Sequence, residues 1–307
     1  MVQENRMKQK IIVVCGPTAS GKTALAVNLA KDLASEVISA DSMCIYKGFD
    51  VGTAKPTKEE RGAIPHHMID VCDGRETFSV ADYKRLAEPI VKDLLGKGKT
   101  PIVCGGTGFY IESLLFDFSY GNACKNDAVR EKYERFLEEN GKEALFAVLR
   151  EKDEKSAEKL HQNDVKRVIR ALEIFDCGGK AKSEYEEKRL PKYDYIAVSF
   201  DFPREELYKR IDLRAEEMFD NGLVEEVKSL VVSGLDETCQ SMQGIGYKEV
   251  LSYLRGEIDL REAKALVAMN SRRYAKRQIT FFKRWENLRY ICPQKEISAV
   301  REVLKLL

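Results

Sequence analysis

Histidine is scarce in this chain, three among 307 residues at 66, 67 and 161, and the eight cysteines form no C-x-x-C pair. No zinc spacing can be assembled from so few ligands. The cysteines stand at 15, 44, 72, 104, 124, 177, 239 and 292, and that scatter reads as the reduced thiols of a cytoplasmic protein, not as a disulfide framework. His66 and His67 resemble a metal pair, but neighbours in sequence rarely face one ligand, so a structural or loop role is expected. No stretch approaches the roughly 18 to 20 apolar residues of a membrane span. The polar start MVQENRMKQK offers no apolar signal core and no small-residue cleavage site. An excess of one charge is missing too. Lys and Arg number 51 against 50 Asp and Glu, a net +1, so attraction to nucleic acid must come from local clusters.

What is present is a large apolar fraction, 44%, enough for a sizeable core, in a chain long enough for about two domains of roughly 150 residues. Ile11 to Cys15, Glu36 to Ala40 and Pro101 to Cys104 read as short buried strands. Helical segments lie between them, from Lys22 to Ala34 and from Ser79 to about Leu95. In the second of these, Ser79 and Asp82 form a capping box and Pro89 a kink. Strand and helix in alternation predict a parallel sheet with helices on both faces. From Lys125 to Arg189 the texture changes to 16 basic and 16 acidic side chains in 65 residues with three glycines, the pattern of exposed helices laced with i,i+4 pairs. Sheet texture returns at Tyr195 to Phe200, a helix opens at Pro203 and runs to about Gly222, and the rest to Trp285 reads as mostly helical. The expected organisation is therefore a core of residues 1–116 and 191–307, interrupted by a helical insertion of residues 117–190.

Gly16-Pro17-Thr18-Ala19-Ser20-Gly21-Lys22-Thr23 fits G-x-x-x-x-G-K-[ST] between a strand and a helix, where the mechanism requires it. Backbone N–H groups there converge on a polyphosphate or diphosphate, Lys22 adds charge, and the Thr23 hydroxyl can ligate Mg²⁺. The fold class expected is thus an α/β, P-loop NTPase-like parallel sheet flanked by helices, with a helical insertion and C-terminal helices. An ATPase or kinase of this type carries an Asp at the end of a later strand for Mg²⁺, but the third strand ends in Gly105-Gly106-Thr107. The nearest strand-end carboxylate is Asp41, open to a role as general base, as a water-mediated Mg²⁺ ligand, or as a simple turn cap. Arg210 and Arg214 share a helical face.

Towards the C-terminus, Arg272 to Arg289 hold seven basic residues and one acid, Glu286. Helical spacing sets Arg273, Lys276, Arg277, Thr280 and Arg284 on one face and Tyr274, Gln278, Phe281 and Trp285 on another. Such a stripe either offers cations to RNA phosphates or is a solvated face.

The loop, Asp41-Ser42, Gly52-Thr53-Ala54-Lys55-Pro56, Ile64 to Asp70 and Gly105 to Tyr110 follow one another in an order that closely resembles the bacterial tRNA dimethylallyltransferases, or tRNA isopentenyltransferases. Asn163 to Arg167, Arg170 to Glu173, Gly244 to Tyr247 and Lys276 to Thr280 extend the resemblance over nearly the whole chain. It implies transfer of a dimethylallyl group from dimethylallyl diphosphate to the exocyclic amine of the adenine immediately 3′ of the anticodon, in a monomeric cytoplasmic enzyme that uses Mg²⁺. On that resemblance the loop Gly16 to Thr23 and Arg214 hold diphosphate, Thr23 ligates Mg²⁺ with Asp41 reaching it through water, and Asp41, Lys22, Thr23 and Arg214 are catalytic. The less favoured reading of Arg214 is a solvated partner of Glu206 or Glu217. The tRNA would be met by Asp41, Ser42, Met43 and Cys44, by Thr107 (alternatively a helix cap) and by Arg130. Further tRNA contacts implied are Lys166, Arg167, Val168, Ile169 and Arg170, then Gln243, Gly244, Ile245, Gly246, Tyr247 and Lys248. The last group is Lys276, Arg277, Gln278, Ile279, Thr280, Phe281, Phe282 and Lys283. Relatives often carry glutamine where this chain has Cys44. Competing readings are an adenylate isopentenyltransferase, a P-loop small-molecule kinase and a non-catalytic phosphate-gated RNA-binding module.

Overall fold

A computed structural model of the chain describes residues 10–117, 126–185, 190–293 and 296–307, the side chains of 296–298 excepted. The polar N-terminal residues, Cys124 and the ends of the charged run at 125 and 186–189 lie outside the described residues. The chain divides into two compact units, Met1–Phe116 with Pro191–Leu307, and Asp117–Leu190.

The first unit is built on six parallel strands: β1 (Lys10–Cys15), β2 (Val37–Ser39), β3 (His66–His67), β4 (Ile102–Gly105), β5 (Asp194–Phe200) and β6 (Leu288–Ile291). Their order across the sheet is β3-β2-β4-β1-β5-β6. The central strand β1 is IIVVC after its first residue, and all five side chains are at most 1% exposed. A strand apolar on both faces is what a parallel sheet covered by helices on both sides demands. Two strands escape the sequence pattern. His66–His67 is too short to show alternation, and Leu288–Ile291 reads Leu-Arg-Tyr-Ile with Arg289 and Tyr290 exposed at the sheet edge. His66 and His67 thus serve as an edge strand, with His67 bonded to Glu36 (2.7 Å).

Because every strand is parallel, all carboxyl ends lie on one edge, and the loops after β1, β2, β4 and β5 meet there. The helices in chain order are α1 (Lys22–Asp32), α2 (Lys58–Arg61), α3 (Val80–Gly96), α4 (Gly108–Leu115), α5 (Asp127–Lys152), α6 (Glu154–Ala157) and α7 (Val165–Gly178). They continue as α8 (Arg204–Asp220), α9 (Leu223–Val232), α10 (Tyr247–Leu254), α11 (Leu260–Phe282) and α12 (Glu296–Leu304). The Ser79–Asp82 capping box forms, and α3 runs through Pro89 as one helix. Leu25, Leu29, Val14, Ile102, Val198 and Val303 join α1, the sheet and α12 in one core. The second unit is helical, α5 to α7, with its own core of Tyr133, Leu145, Leu149, Val168 and Leu172; α5 breaks at Gly141, whose φ of +82° is left-handed. No helix among the described residues is long and apolar enough to cross a membrane.

Candidate active site

The loop after β1 turns on backbone conformations that side chains resist. Gly16 has a φ of +132°, and a Cβ there would lie 2.6 Å from the Ser199 hydroxyl of β5. Gly21, at φ +78°, starts α1 without any side-chain cap, and the first turn carries no acidic residue. The α1 amides and the positive end of its dipole therefore stay open to an anion. Ser20 Oγ and Lys22 Nζ both donate to the Pro17 carbonyl (2.9 and 3.0 Å), which folds the loop on itself. Burial holds the Lys22 ammonium below its ordinary range, and the Arg214 guanidinium adds to this while Asp41 opposes it.

Arg214, on α8, reaches the same place. Its Nη2 donates to the Thr53 carbonyl (3.0 Å), and its buried Nε has no partner among the described residues. Burial lowers its pKa, with Asp41 the largest opposing influence, yet a guanidinium stays charged throughout the working range. Of the two arginines on that helix face, Arg210 takes Glu206 (3.6 Å) and stacks on Phe202, leaving Arg214 turned inward. Two cations so close repel one another, and an unsatisfied buried donor is costly, so the arrangement suits an anion.

Asp41 lies just beyond β2. Its Oδ1 accepts from the Met43 and Cys44 amides (2.8 and 3.3 Å), an Asx turn that fixes the carboxylate. Thr107 begins α4 but does not cap it; its hydroxyl accepts from the Ser42 amide (3.0 Å), while its own amide donates to the Ala40 carbonyl (3.0 Å). The loops after β2 and β4 are thereby locked together beside the phosphate loop. Cys44 is buried, and burial with the adjoining Asp41 pushes its thiol well up, so it is no nucleophile and its side chain points into the core. Met43 packs on Gly244, where a Cβ would meet its methyl at 2.4 Å, which brings the 243–248 segment against the Asp41 turn.

Sequence reasoning missed three supports of this site. Tyr274 of α11 sets its hydroxyl beside Thr107 and Ser42; burial, with Asp41 next, pushes it up to about 12, so it is a neutral hydrogen-bond donor. Glu226 of α9 accepts from the Asp50, Val51 and Gly52 amides (2.9, 2.7 and 3.1 Å) and from the Tyr247 hydroxyl (2.7 Å), shaping the loop whose Thr53 holds Arg214. Glu112 of α4, 2% exposed, anchors the end of α11 through Arg284 (2.8 Å) and Trp285 (3.1 Å). Their partners are distant in sequence, so only an unpaired charge in a helix could have hinted at them.

Several residues expected to meet RNA are buried or held in ion pairs. The cationic stripe is not one helical face, since α11 ends at Phe282 and Arg284 lies in the turn beyond it. Arg284 pairs with Glu112 and lies 3.7 Å over Phe281, and Arg272 pairs with Asp212. Gln278, Phe282 and Tyr247 are buried, as are Val168 and Ile169, because these positions form the inner sides of their helices. Ile245, Ile279 and Phe281 are half-buried. Arg273, Lys276, Arg277, Thr280 and Lys283 stay exposed, and the four cations form no ion pair among the described residues. Gln243 and Lys248 are exposed as well. In the helical unit Lys166 and Arg167 are exposed. Arg130 and Arg170 instead hold the buried Glu173 (2.9 and 2.6 Å).

A family model described as IPP transferase matches residues 44–285, and one described as Isopentenyl transferase matches residues 9–70. A tRNA dimethylallyltransferase of Acetivibrio thermocellus is 46% identical over 298 residues, 96% of this chain and 95% of that protein. One of Anoxybacillus flavithermus is 46% identical over 279 residues, 90% of this chain and 88% of that protein. Among solved structures, the full-length tRNA isopentenylpyrophosphate transferase of Bacillus halodurans superposes with a TM-score of 0.74 at 39% identity, covering 97% of this chain and 95% of the other. A eukaryotic dimethylallyltransferase captured acting on tRNA superposes with a TM-score of 0.84 at 29% identity, covering 96% of this chain and 78% of the other.

Proposed function

The chain belongs to the family of tRNA dimethylallyltransferases, which are prenyl-transferring enzymes, and from that premise we propose how its residues move a dimethylallyl group onto the adenine immediately 3′ of the anticodon. The observation that carries the reading is the meeting of an uncapped α1 N-terminus, Lys22 and the unsatisfied Arg214 with the fixed carboxylate of Asp41. The cationic side takes the diphosphate of the donor. The carboxylate faces the amine of the acceptor.

An adenine amine is a poor nucleophile because its lone pair is delocalised into the ring. As its nitrogen bonds to C1 of the dimethylallyl group, the C1–O bond breaks and the amine loses a proton. Asp41 takes that proton, general-base work worth about 10²- to 10⁴-fold. Lys22, Arg214 and the α1 amides stabilise the charge that grows on the leaving diphosphate. Tyr274 and Thr107 hold the Asp41 turn in place and line its approach.

Magnesium fits this site. No group of three or more His, Cys, Asp or Glu among the described residues could cage a metal. Mg²⁺ does not need one, since it is commonly held by substrate phosphates, water and one or two protein oxygens. Thr23, in the first turn of α1 and without a hydrogen-bond partner among the described residues, would supply one oxygen, and Asp41 could reach the ion through water. The ion would add charge neutralisation on the diphosphate.

The acceptor tRNA is met by exposed cations: Arg273, Lys276 and Arg277 on α11 and Lys283 just past its end, with Lys166 and Arg167 on the helical unit. We assign the enzyme to the cytoplasm, acting as a monomer. A kinase reading lacks its strand-end Mg²⁺ carboxylate, and a free-adenylate transferase would not need these cations. The test is incubation of the protein with Mg²⁺, unmodified tRNA and either labelled dimethylallyl diphosphate or labelled ATP. Label should pass from the prenyl donor to RNA. Turnover of ATP without prenyl transfer would overturn the reading.

A further inference from the structure

Gln278 stands among the RNA contacts that the family resemblance implies, but its side chain is 5% exposed and points away from the cationic side of α11. Its Oε1 accepts from the Thr18 amide of the phosphate loop (3.0 Å), and its Nε2 donates to the Gly106 carbonyl of the turn after β4 (3.0 Å). The fit is tight on both sides. A Cβ on Gly106 would lie 2.0 Å from Gln278 Nε2 and 3.2 Å from the Gly16 carbonyl, so the glycine at this position lets the two loops close on one amide group. Two residues further on, Gly108 makes room for the Phe281 ring of the same helix, which a Cβ would meet at 2.0 Å. The helix that shows Arg273, Lys276 and Arg277 to solvent is therefore stitched along its inner side to the loops that bind donor and acceptor.

We propose that Gln278 is a positioning residue for the donor: it sets the phosphate loop at a fixed distance from the Gly105–Thr107 turn, and through Thr107 from Asp41, while making no contact with RNA itself. The inference rests on the proposed donor loop. Its physical basis is preorganisation, since a loop whose amides are held before the diphosphate arrives loses less entropy on binding and keeps the leaving group in line with the amine. A carboxamide suits the task because it carries one acceptor and one donor group in a fixed plane, and no other side chain of that length offers both to two backbones at once.

The test is Gln278→Met, close in volume and unable to make either bond. Two quantities are read: the Kd for inorganic diphosphate with Mg²⁺, by calorimetry, and the steady-state constants for dimethylallyl diphosphate and tRNA. Loss of two hydrogen bonds predicts about a 5- to 30-fold rise in the diphosphate Kd and in the donor KM, with a fall in kcat and a tRNA Kd changed less than two-fold. A merely structural glutamine would lower Tm and leave this donor–acceptor split unmoved, and that result overturns the proposal. A weaker tRNA Kd with unchanged donor constants overturns it as well, by making Gln278 an RNA contact. Should Gln278→Met not fold, exchange of the Thr18 amide in the wild-type protein decides: protection without ligand supports the clamp, and exchange as fast as an open loop contradicts it. Diphosphate binding is read without prenyl transfer, so failure of the transfer reaction leaves this measurement standing.

Discussion

At the scale of single residues, charge near the phosphate loop separates into groups that do chemistry and groups that hold them. On the proposed mechanism Asp41 belongs to both, because one oxygen closes a turn on the Met43 and Cys44 amides. Asp41→Ala therefore confounds loss of the base with loss of the turn. Asp41→Asn keeps an acceptor for those amides, so single-turnover transfer should fall about 10²- to 10⁴-fold with tRNA affinity within two-fold; near-normal chemistry would place the base elsewhere. Arg284 and Arg277 part company for a different reason. Arg284→Ala takes a two-bonded guanidinium from the buried Glu112, which keeps the Trp285 indole, and should cost about 1.5 to 3 kcal/mol of stability, read as a lower urea midpoint, with little change in the salt dependence of tRNA binding. Neutralising Arg273, Lys276, Arg277 and Lys283 should do the reverse, leaving the midpoint near its original value and flattening the log–log salt slope by roughly 0.7 to 0.9 for each RNA phosphate that no longer meets a cation. The phosphate loop is legible in the sequence because its backbone demands glycine and lysine at set spacings. The partner of Arg284 is not, since Glu112 lies 172 residues away and no local pattern encodes so distant a pairing.

Among elements, the strands with continuous apolar runs are readable to within a residue or two, β1 and β4 above all, and so is the capping box that opens α3. Edge strands β3 and β6 are not, because a two-residue strand has no period and an edge strand exposes polar side chains. Helical spacing locates α11 but overruns its end at Phe282, which moves Arg284 onto a face it does not share. The charged run from Lys125 reads as solvated helices, and α5 to α7 carry that surface. Sequence could not show the network inside it. Asp176 is held by Lys152 (2.5 Å), Lys132 (2.9 Å) and the Tyr133 hydroxyl (2.8 Å). Burial alone would raise its pKa, but these partners outweigh burial and bring it down to about 2. A carboxylate depressed on folding stabilises fully above its unfolded value near 4 and loses that contribution as pH falls through about 2. The shift corresponds to about 2 kcal/mol. Urea midpoints followed by far-ultraviolet circular dichroism should thus drop between pH 4 and 2 for the wild type and change less for Asp176→Asn. The only tryptophan, Trp285, lies outside the helical unit and would not report this. Equal pH profiles for the two proteins would mean the cluster contributes nothing.

For the whole molecule, a net charge of +1 and an RNA substrate are reconciled by placement. Acids take up Arg272, Arg284, Arg130 and Arg170, while Arg273, Lys276, Arg277 and Lys283 stay exposed without an ion pair among the described residues. The parallel sheet gathers four strand ends on one edge, so the loop after β1, Asp41 and Arg214 meet although they are spread from Gly16 to Arg214 in sequence. The central claim is that this edge joins a dimethylallyl group to one adenine of tRNA. It is tested most directly by treating unmodified tRNA with the protein, dimethylallyl diphosphate and Mg²⁺, digesting the product with a base-specific nuclease and weighing the fragments. The account predicts a single added dimethylallyl group on the fragment holding the adenine 3′ of the anticodon, released as a prenylated adenosine, and absent when the enzyme is Asp41→Asn. An unmodified anticodon fragment, or a group spread over many adenines, would contradict it.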